Sequence, residues 1–423
     1  MMNLQDDLYI IKYENNNIVY SPLRRALFFA DDSSVATINR FINGKVTEKD
    51  KCSSVWGHIT KLEAIKVCAP EVSQINKNGH AIIIPTQICN LGCTYCYAQE
   101  AHSQKNIQID ILKTTLDYIL NNFGHKKSIS FIGGGEPLVS WNLIKWSVDY
   151  LERNKKRDDQ LIIGITTNAT LFTDDILKYV KNHNIHIGVS FEILPDIQNS
   201  QRPFAHGSKP TFDIVNANIK KLMQYGIPYS IRSTITKLNV NRMAEMVEFV
   251  AEHYPNIKKL HLEQVTDANE DDSLFYNEYI DCFYKAKETG RKNGIYIYNS
   301  ISKSIHQIKG CFCRGELCIT PTGSIVACHR VSSEKERAFP LFYYGQVGDQ
   351  VVFNENAEKV YLQHTNNKRE ECSRCFAYWH CAGICPMGRN ALSEEQIKAK
   401  CDFVKRIIAH ELFDSLSNGL KKN

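Results

Sequence analysis

The sequence has no run near the ~18 consecutive apolar residues that a membrane helix needs, so no membrane partner is expected. Its first ten residues, Met1 to Ile10, lack the basic patch and apolar stretch of a secretory signal, and a cytoplasmic location is expected. Neither sign of charge dominates: 51 Lys and Arg stand against 46 Asp and Glu, a net of +5. With no clustered basic face, that excess gives no reason to expect a nucleic-acid partner. What remains, 43% hydrophobic and 23% charged over 423 residues, is ordinary for a globular chain of two or three domains.

Cysteine is abundant instead, with fifteen in the chain. In a long chain without a secretory signal, many thiols point to metal or catalysis rather than disulfides. They cluster: three lie in 89–96, four in 311–328 and five in 372–401. Cys52, Cys68 and Cys282 stand alone and read as buried or incidental thiols. Cys89, Cys93 and Cys96 have Cys-x3-Cys-x2-Cys spacing, just after the apolar run 81–84. Soft thiolates select iron–sulfur clusters or zinc. A [4Fe–4S] cluster takes one cysteine per iron, so three close thiols leave one iron open to a non-protein ligand. The alternative is a zinc site completed by a distant His or Cys.

From 80 to about 295, strand and helix patterns alternate. Apolar runs at 81–85, 128–132, 161–166, 187–191, 229–235 and 260–265 each precede a stretch with helical spacing, such as Ile109, Leu112, Leu116 and Ile119. Six such units predict an α/β fold, a partial (β/α)6 barrel with an open side and its function at the carboxyl ends of the strands. Those ends carry Gly133-Gly134-Gly135-Glu136-Pro137, Thr166-Thr167-Asn168-Ala169-Thr170, Ser190-Phe191-Glu192 and Leu262-Glu263-Gln264, with Arg232 on the fifth strand. Glycines let backbone approach a ligand closely, and Glu136 can accept from an ammonium group. Glu192, Asp196 and Glu263 are acid–base candidates because they lie near strand ends.

Residues 1–80 predict a small α+β unit. Strand patterns at 8–11, 18–20 and 26–29 precede a helix, capped by Asp32 or Ser33, with Val35, Ile38 and Phe41 on one face. It reads either as a docking module whose free edge accepts a peptide strand, or as a lid on the catalytic part. Further domains are expected at 81–300 and 301–410, the latter cysteine-rich, then a terminal helix near 403–412 and a solvated tail over 411–423 that carries Lys421-Lys422. The cysteine-rich part has Cys313-x9-Gly323-x4-Cys328, then Cys372-x2-Cys375-x5-Cys381-x3-Cys385, and Cys401. That pattern is far more specific than a lone Cys-x2-Cys; its alternative is a zinc knuckle.

The first thiol motif, with Tyr95 before its third cysteine, resembles that of the radical SAM superfamily, and residues 313–401 resemble its C-terminal SPASM extension. The resemblance implies a [4Fe–4S] cluster that binds S-adenosylmethionine (SAM) and cleaves it to a 5′-deoxyadenosyl radical. It implies SAM contacts from Tyr95, Gly134, Gly135, Glu136, Pro137, Asn168, Ser190, Arg202, Arg232 and Leu262. It also implies two auxiliary [4Fe–4S] clusters. One takes Cys313, Cys328, Cys385 and either Cys311 or Cys318; the other takes Cys372, Cys375, Cys381 and Cys401. SPASM relatives mostly act on peptides and proteins, with an external one-electron donor such as flavodoxin or ferredoxin. Peptide maturation is therefore the expected function. A sulfatase-maturating enzyme is the alternative, and a non-catalytic iron–sulfur scaffold or electron carrier is the alternative from another class.

Overall fold

The strand patterns of the first thirty residues fold into three antiparallel strands, β1 (Tyr9–Tyr13), β2 (Asn16–Ser21) and β3 (Ala26–Ala30), in a computed structural model that describes residues 1–265, 273–389 and 392–420. The helix Asp32–Ile42 follows, and the capping group is Asp31, which accepts from the Ser34 amide at 2.7 Å. Alternation gives this small sheet two apolar faces. Leu8 and Val19 pack with Ile38, Phe41 and Ile59 of its own helices. Ile11, Ile18 and Tyr20 pack instead on Ile408 and Leu412 of the C-terminal helix.

The larger sheet has eleven strands. β4 (Asn76–Ile83), β5 (Lys126–Phe131), β6 (Gln160–Thr167), β7 (His186–Ser190), β8 (Tyr229–Ile235) and β9 (Lys259–Gln264) run parallel in sequence order, as the six units predict. A seventh parallel strand, β10 (Tyr296–Tyr298), extends the β9 edge. The other edge grows as well: β11 (Glu316–Ile319) pairs in parallel with β4. β12 (Ser324–Val326), β13 (Tyr343–Val347) and β14 (Val351–Phe353) then add antiparallel. Sequence from both the barrel and the cysteine-rich part therefore shares one sheet. On β5 to β9, Ile129, Ile163, Ile187, Ile231 and Leu260 are buried in the main core. The alternate set, including Thr166, Ser190 and Arg232, lines a cavity.

The terminal helix runs from Glu394 to Leu420, longer at both ends than expected, so the tail expected from 411 is helical to Leu420. Ile397 is buried in the added N-terminal turns, and Phe413 and Leu416 pack on the N-terminal sheet from the added C-terminal ones, since packing rather than propensity holds most helices. Lys421 and Lys422 lie outside the described residues. Among the described residues no helix is long and apolar enough to cross a membrane.

Candidate active site

A cavity of about 820 Å³ opens at the carboxyl ends of β5 to β9. Cys89, Cys93 and Cys96 form part of its wall, and so do Cys313, Cys328, Cys381 and Cys385. The loop carrying the first three thiols is stitched down by its backbone. The Gly92 amide donates to Pro203 O at 2.8 Å, Thr94 to Gln201 O at 3.0 Å, and Ala205 to Asn90 O at 2.9 Å. Nothing in the local sequence announces this pairing with the segment after β7.

The glycine run is needed for space. A Cβ on Gly135 would stand 2.0 Å from Ile88 O, and one on Gly134, where φ is +67°, would stand 2.6 Å from Thr86 O. Glu136 is buried, and its carboxylate fastens two strand ends. It accepts from Thr167 Oγ1 at 2.6 Å, the Asn168 amide at 2.7 Å and the Leu138 amide at 3.0 Å. Burial raises its pKa, against the pull of these bonds. Three of its roughly four acceptor sites are used, which leaves one for a ligand. Asn168 Nδ2 donates to Asn90 Oδ1 at 2.9 Å, joining this corner to the thiol loop. Pro137 starts the short helical turn Pro137–Ser140. In the Thr-Asn-Ala turn, Ala169 takes φ +60°, so the strained option holds there, as it does at Ile193 with φ +68°.

Tyr95 donates to the Glu192 carboxylate and accepts from Arg202 Nη1 at 2.9 Å. Glu192 also accepts from Ser233 Oγ at 2.5 Å and the Thr234 amide at 2.8 Å. It lies behind the cavity wall, fully buried, so as an acid–base candidate it is corrected to a fastening group. Asp196 is corrected as well: it is exposed, absent from the cavity wall, and paired with Arg242 at 2.5 Å. Leu262 is fully buried in the main core and cannot reach a ligand; its neighbours Glu263, Gln264 and Val265 line the cavity instead.

Glu263 does face the cavity. Burial opposes its ionisation, but His261 Nε2 at 2.6 Å, the Arg232 charge and the Ser300 hydroxyl at 2.7 Å outweigh it and hold the carboxyl at about 2. It is a fixed anion rather than a proton acceptor near neutral pH. Ser190, Arg202 and Arg232 also line the wall. Arg202 Nε is buried without a partner, and Arg232 has no hydrogen-bond or ion-pair partner among the described residues. His102, His329 and Arg330 also line the cavity, and no motif in the sequence marked them.

In the cysteine-rich part, Cys313, Cys328 and Cys385 bear on one another electrostatically, with Cys311 beside Cys313. Cys318 is fully buried in the apolar core on β11, which favours Cys311. Cys372, Cys375 and Cys401 all bear on Cys381, whose thiol burial pushes up to about 12. Burial likewise pushes Cys89 up to about 12. A single zinc ion needs its ligands about 2.3 Å away from one point. Among the described residues no three His, Cys, Asp or Glu side chains converge to hold one metal ion. Cys89, Cys93 and Cys96 share one stretch of loop on the cavity wall, and soft thiolates with one per iron suit a [4Fe–4S] cluster. Cys52 and Cys68 are exposed and Cys282 is half-buried, all outside the cavity wall.

Residues 83–250 match the family model described as Radical SAM superfamily. An uncharacterised protein of Methanocaldococcus jannaschii is 34% identical over 171 residues, which cover 40% of this chain and only 58% of that protein. A cysteine-type anaerobic sulfatase-maturating enzyme of Clostridium novyi is 22% identical over 320 residues, 70% of this chain and 84% of that enzyme. Among solved structures, native anSMEcpe with bound AdoMet superposes with a TM-score of 0.67 at 17% identity, covering 80% of this chain and 100% of that one. Streptococcus suis SuiB bound to precursor peptide SuiA gives 0.52 at 15% identity, covering 91% and 95%. At such identities these two likenesses concern the fold. The matched segment spans the thiol loop, the glycine run and the ends of β5 to β8, and residues 83–250 form a radical SAM domain.

Proposed function

We propose that this enzyme matures a ribosomally made peptide, crosslinking or oxidising one of its residues. Cys89, Cys93 and Cys96 would hold a [4Fe–4S] cluster with one iron open to SAM. Two auxiliary [4Fe–4S] clusters would take Cys311, Cys313, Cys328 and Cys385, and Cys372, Cys375, Cys381 and Cys401. When bound, the first cluster and SAM supply a 5′-deoxyadenosyl radical that abstracts a substrate hydrogen, once an electron carrier such as flavodoxin or ferredoxin has delivered an electron. The protein's share is positioning. Gly134 and Gly135 leave room for a ligand against the backbone. Glu136 keeps one acceptor site for the SAM ammonium, and Arg202, whose Nε has no partner and which shares the cavity wall with Ser190, would meet its carboxylate. Tyr95 locks the thiol loop to β7 and β8 through Glu192.

The observation that carries the peptide reading is the N-terminal sheet. Its order leaves β1 and β3 each with an unpaired edge, while its face is fixed to the C-terminal helix. A free strand edge takes up an extended peptide through main-chain hydrogen bonds. The wider share of this chain covered by SuiB, 91% against 80% for anSMEcpe, supports the same reading. Sulfatase maturation stays as the second reading, supported by the Clostridium novyi relative. Against it stands Ser190-Phe191-Glu192-Ile193 in place of Ser-x-Asp-Gly.

The test is anaerobic. Reconstituted enzyme, SAM and dithionite are incubated with short peptides encoded beside the gene, and separately with a sulfatase-derived Cys peptide. A hydrogen-loss mass change in the former supports peptide maturation. Formylglycine in the latter alone transfers the assignment to the second reading.

A further inference from the structure

The small N-terminal sheet and the cavity share a wall. Ile11 of β1 and Ile18 and Tyr20 of β2 form a cluster against which pack Ile301, from the short helix Ser300–Ser304, and Val404, from the C-terminal helix. Ile301 and Val404 also line the cavity, so one layer of side chains separates the sheet from the space beyond. His380 completes that layer. It is buried, borders the cavity and is held from both sides. The Tyr20 hydroxyl meets its Nε2 at 2.5 Å, and its Nδ1 meets Ser304 O at 3.1 Å and Gln307 O at 2.9 Å. The helix that ends at Ser304 begins at Ser300, whose amide and hydroxyl donate to Glu263 Oε2 at 2.9 Å and 2.7 Å. Unbroken contacts therefore run from β2 through His380 and one five-residue helix to Glu263 on the cavity wall.

A close-packed layer one side chain thick transmits a shift on one face to the other. Coupling between two sites travels through such chains of packed side chains and hydrogen bonds. We propose that Tyr20 and His380 are positioning residues for the radical reaction: the N-terminal sheet is the back of the cavity wall, and through Tyr20 it sets the place of His380, the helix Ser300–Ser304 and Glu263. A peptide held on the sheet's free edge then acts on the cavity that receives its other end. The role at the reaction rests on the reading that a peptide enters the cavity.

The test uses the reconstituted, SAM-loaded full chain carrying Tyr20→Phe, with Val19→Ala beside it. Val19 is next to Tyr20 but packs with Ile38 and Phe41 on the other face, so its truncation weakens the sheet without touching the shared wall. Two readings are taken well below the unfolding range of all three proteins. One is the EPR signal of the reduced second auxiliary cluster, whose proposed ligand Cys381 follows His380. The other is steady-state modification of a short peptide encoded beside the gene. Tyr20→Phe is expected to change the signal and to lower kcat about tenfold, with KM within about twofold, because a small misplacement at the reacting bond slows the reaction. Val19→Ala is expected to match the parent protein in both. An unchanged signal or an unchanged kcat in Tyr20→Phe overturns the proposal. So does a loss that falls on KM, which moves Tyr20 to peptide docking, and so does a Val19→Ala protein that behaves like Tyr20→Phe. If the parent protein modifies no peptide, 5′-deoxyadenosine formed without peptide takes the place of kcat. A fall in Tyr20→Phe alone then keeps the positioning and drops only the peptide reading, and no fall overturns both.

Discussion

The Tyr20 hydroxyl lies 2.5 Å from His380 Nε2, across 360 residues of chain. His380 Nδ1 faces the carbonyls of Ser304 at 3.1 Å and Gln307 at 2.9 Å, so it carries the proton and Nε2 accepts from Tyr20. The bond ties the N-terminal sheet to the turn between Cys375 and Cys381, inside the second auxiliary thiol set. Tyr20→Phe leaves a buried ring nitrogen unpaired and should cost about 1–3 kcal/mol. Denaturant unfolding measures the loss. Trypsin cleavage at exposed Lys66, between the two sheets, should accelerate; an unchanged digest would mean the sheet is held by packing alone.

Glu136→Gln replaces an oxygen with an amide that has to face one of three donors. Stability should fall by about 1–3 kcal/mol, since one donor is left unpaired, and SAM affinity by at least about tenfold as the turn between β5 and β6 loosens. Equilibrium dialysis with labelled SAM reads this. Affinity equal to the parent protein would show that the carboxylate is structural only.

Gly135→Ala asks for a methyl group 2.0 Å from a carbonyl oxygen, a distance no adjustment of Ile88 alone can relieve. We expect SAM cleavage, followed as 5′-deoxyadenosine, to be lost. Gly124→Ala, where nothing lies within 4 Å, is the matched control and should keep full activity.

Glu263 titrates at about 2 in the folded chain against an ordinary value of 4.5. A lowered folded pKa means stability that is complete above about 4.5 and lost as pH falls towards 2. Glu263→Gln should therefore be less stable at neutral pH, by something on the order of 3 kcal/mol, and should show a flatter stability profile between pH 5 and 2. Parallel profiles for the two proteins would remove Glu263 from that acid limb.

The two thiol regions should separate functionally. Cys93→Ala is expected to abolish 5′-deoxyadenosine formation. Cys375→Ala is expected to spare it while stopping peptide modification. Equal loss in both assays would refute this division of labour.

Local chemistry decided a good deal. Three thiols at fixed spacing have to share a loop, the Gly133–Gly134–Gly135 run has to carry backbone close to something, and strand–helix alternation from residue 80 has to build a parallel sheet. Cys372, Cys375 and Cys401 bear on Cys381, the grouping that the resemblance to the SPASM extension implies. What no window of sequence held was the facing of side chains and the pairing of distant edges. Glu192, Asp196 and Glu263 all sit near strand ends, yet one fastens the wall, one lies outside and one faces the cavity. Alternation defines two faces of a strand, and only closure of the sheet decides which is inside. β11 joining β4, and Tyr20 reaching His380, are likewise decided by packing between segments hundreds of residues apart, where no local preference acts.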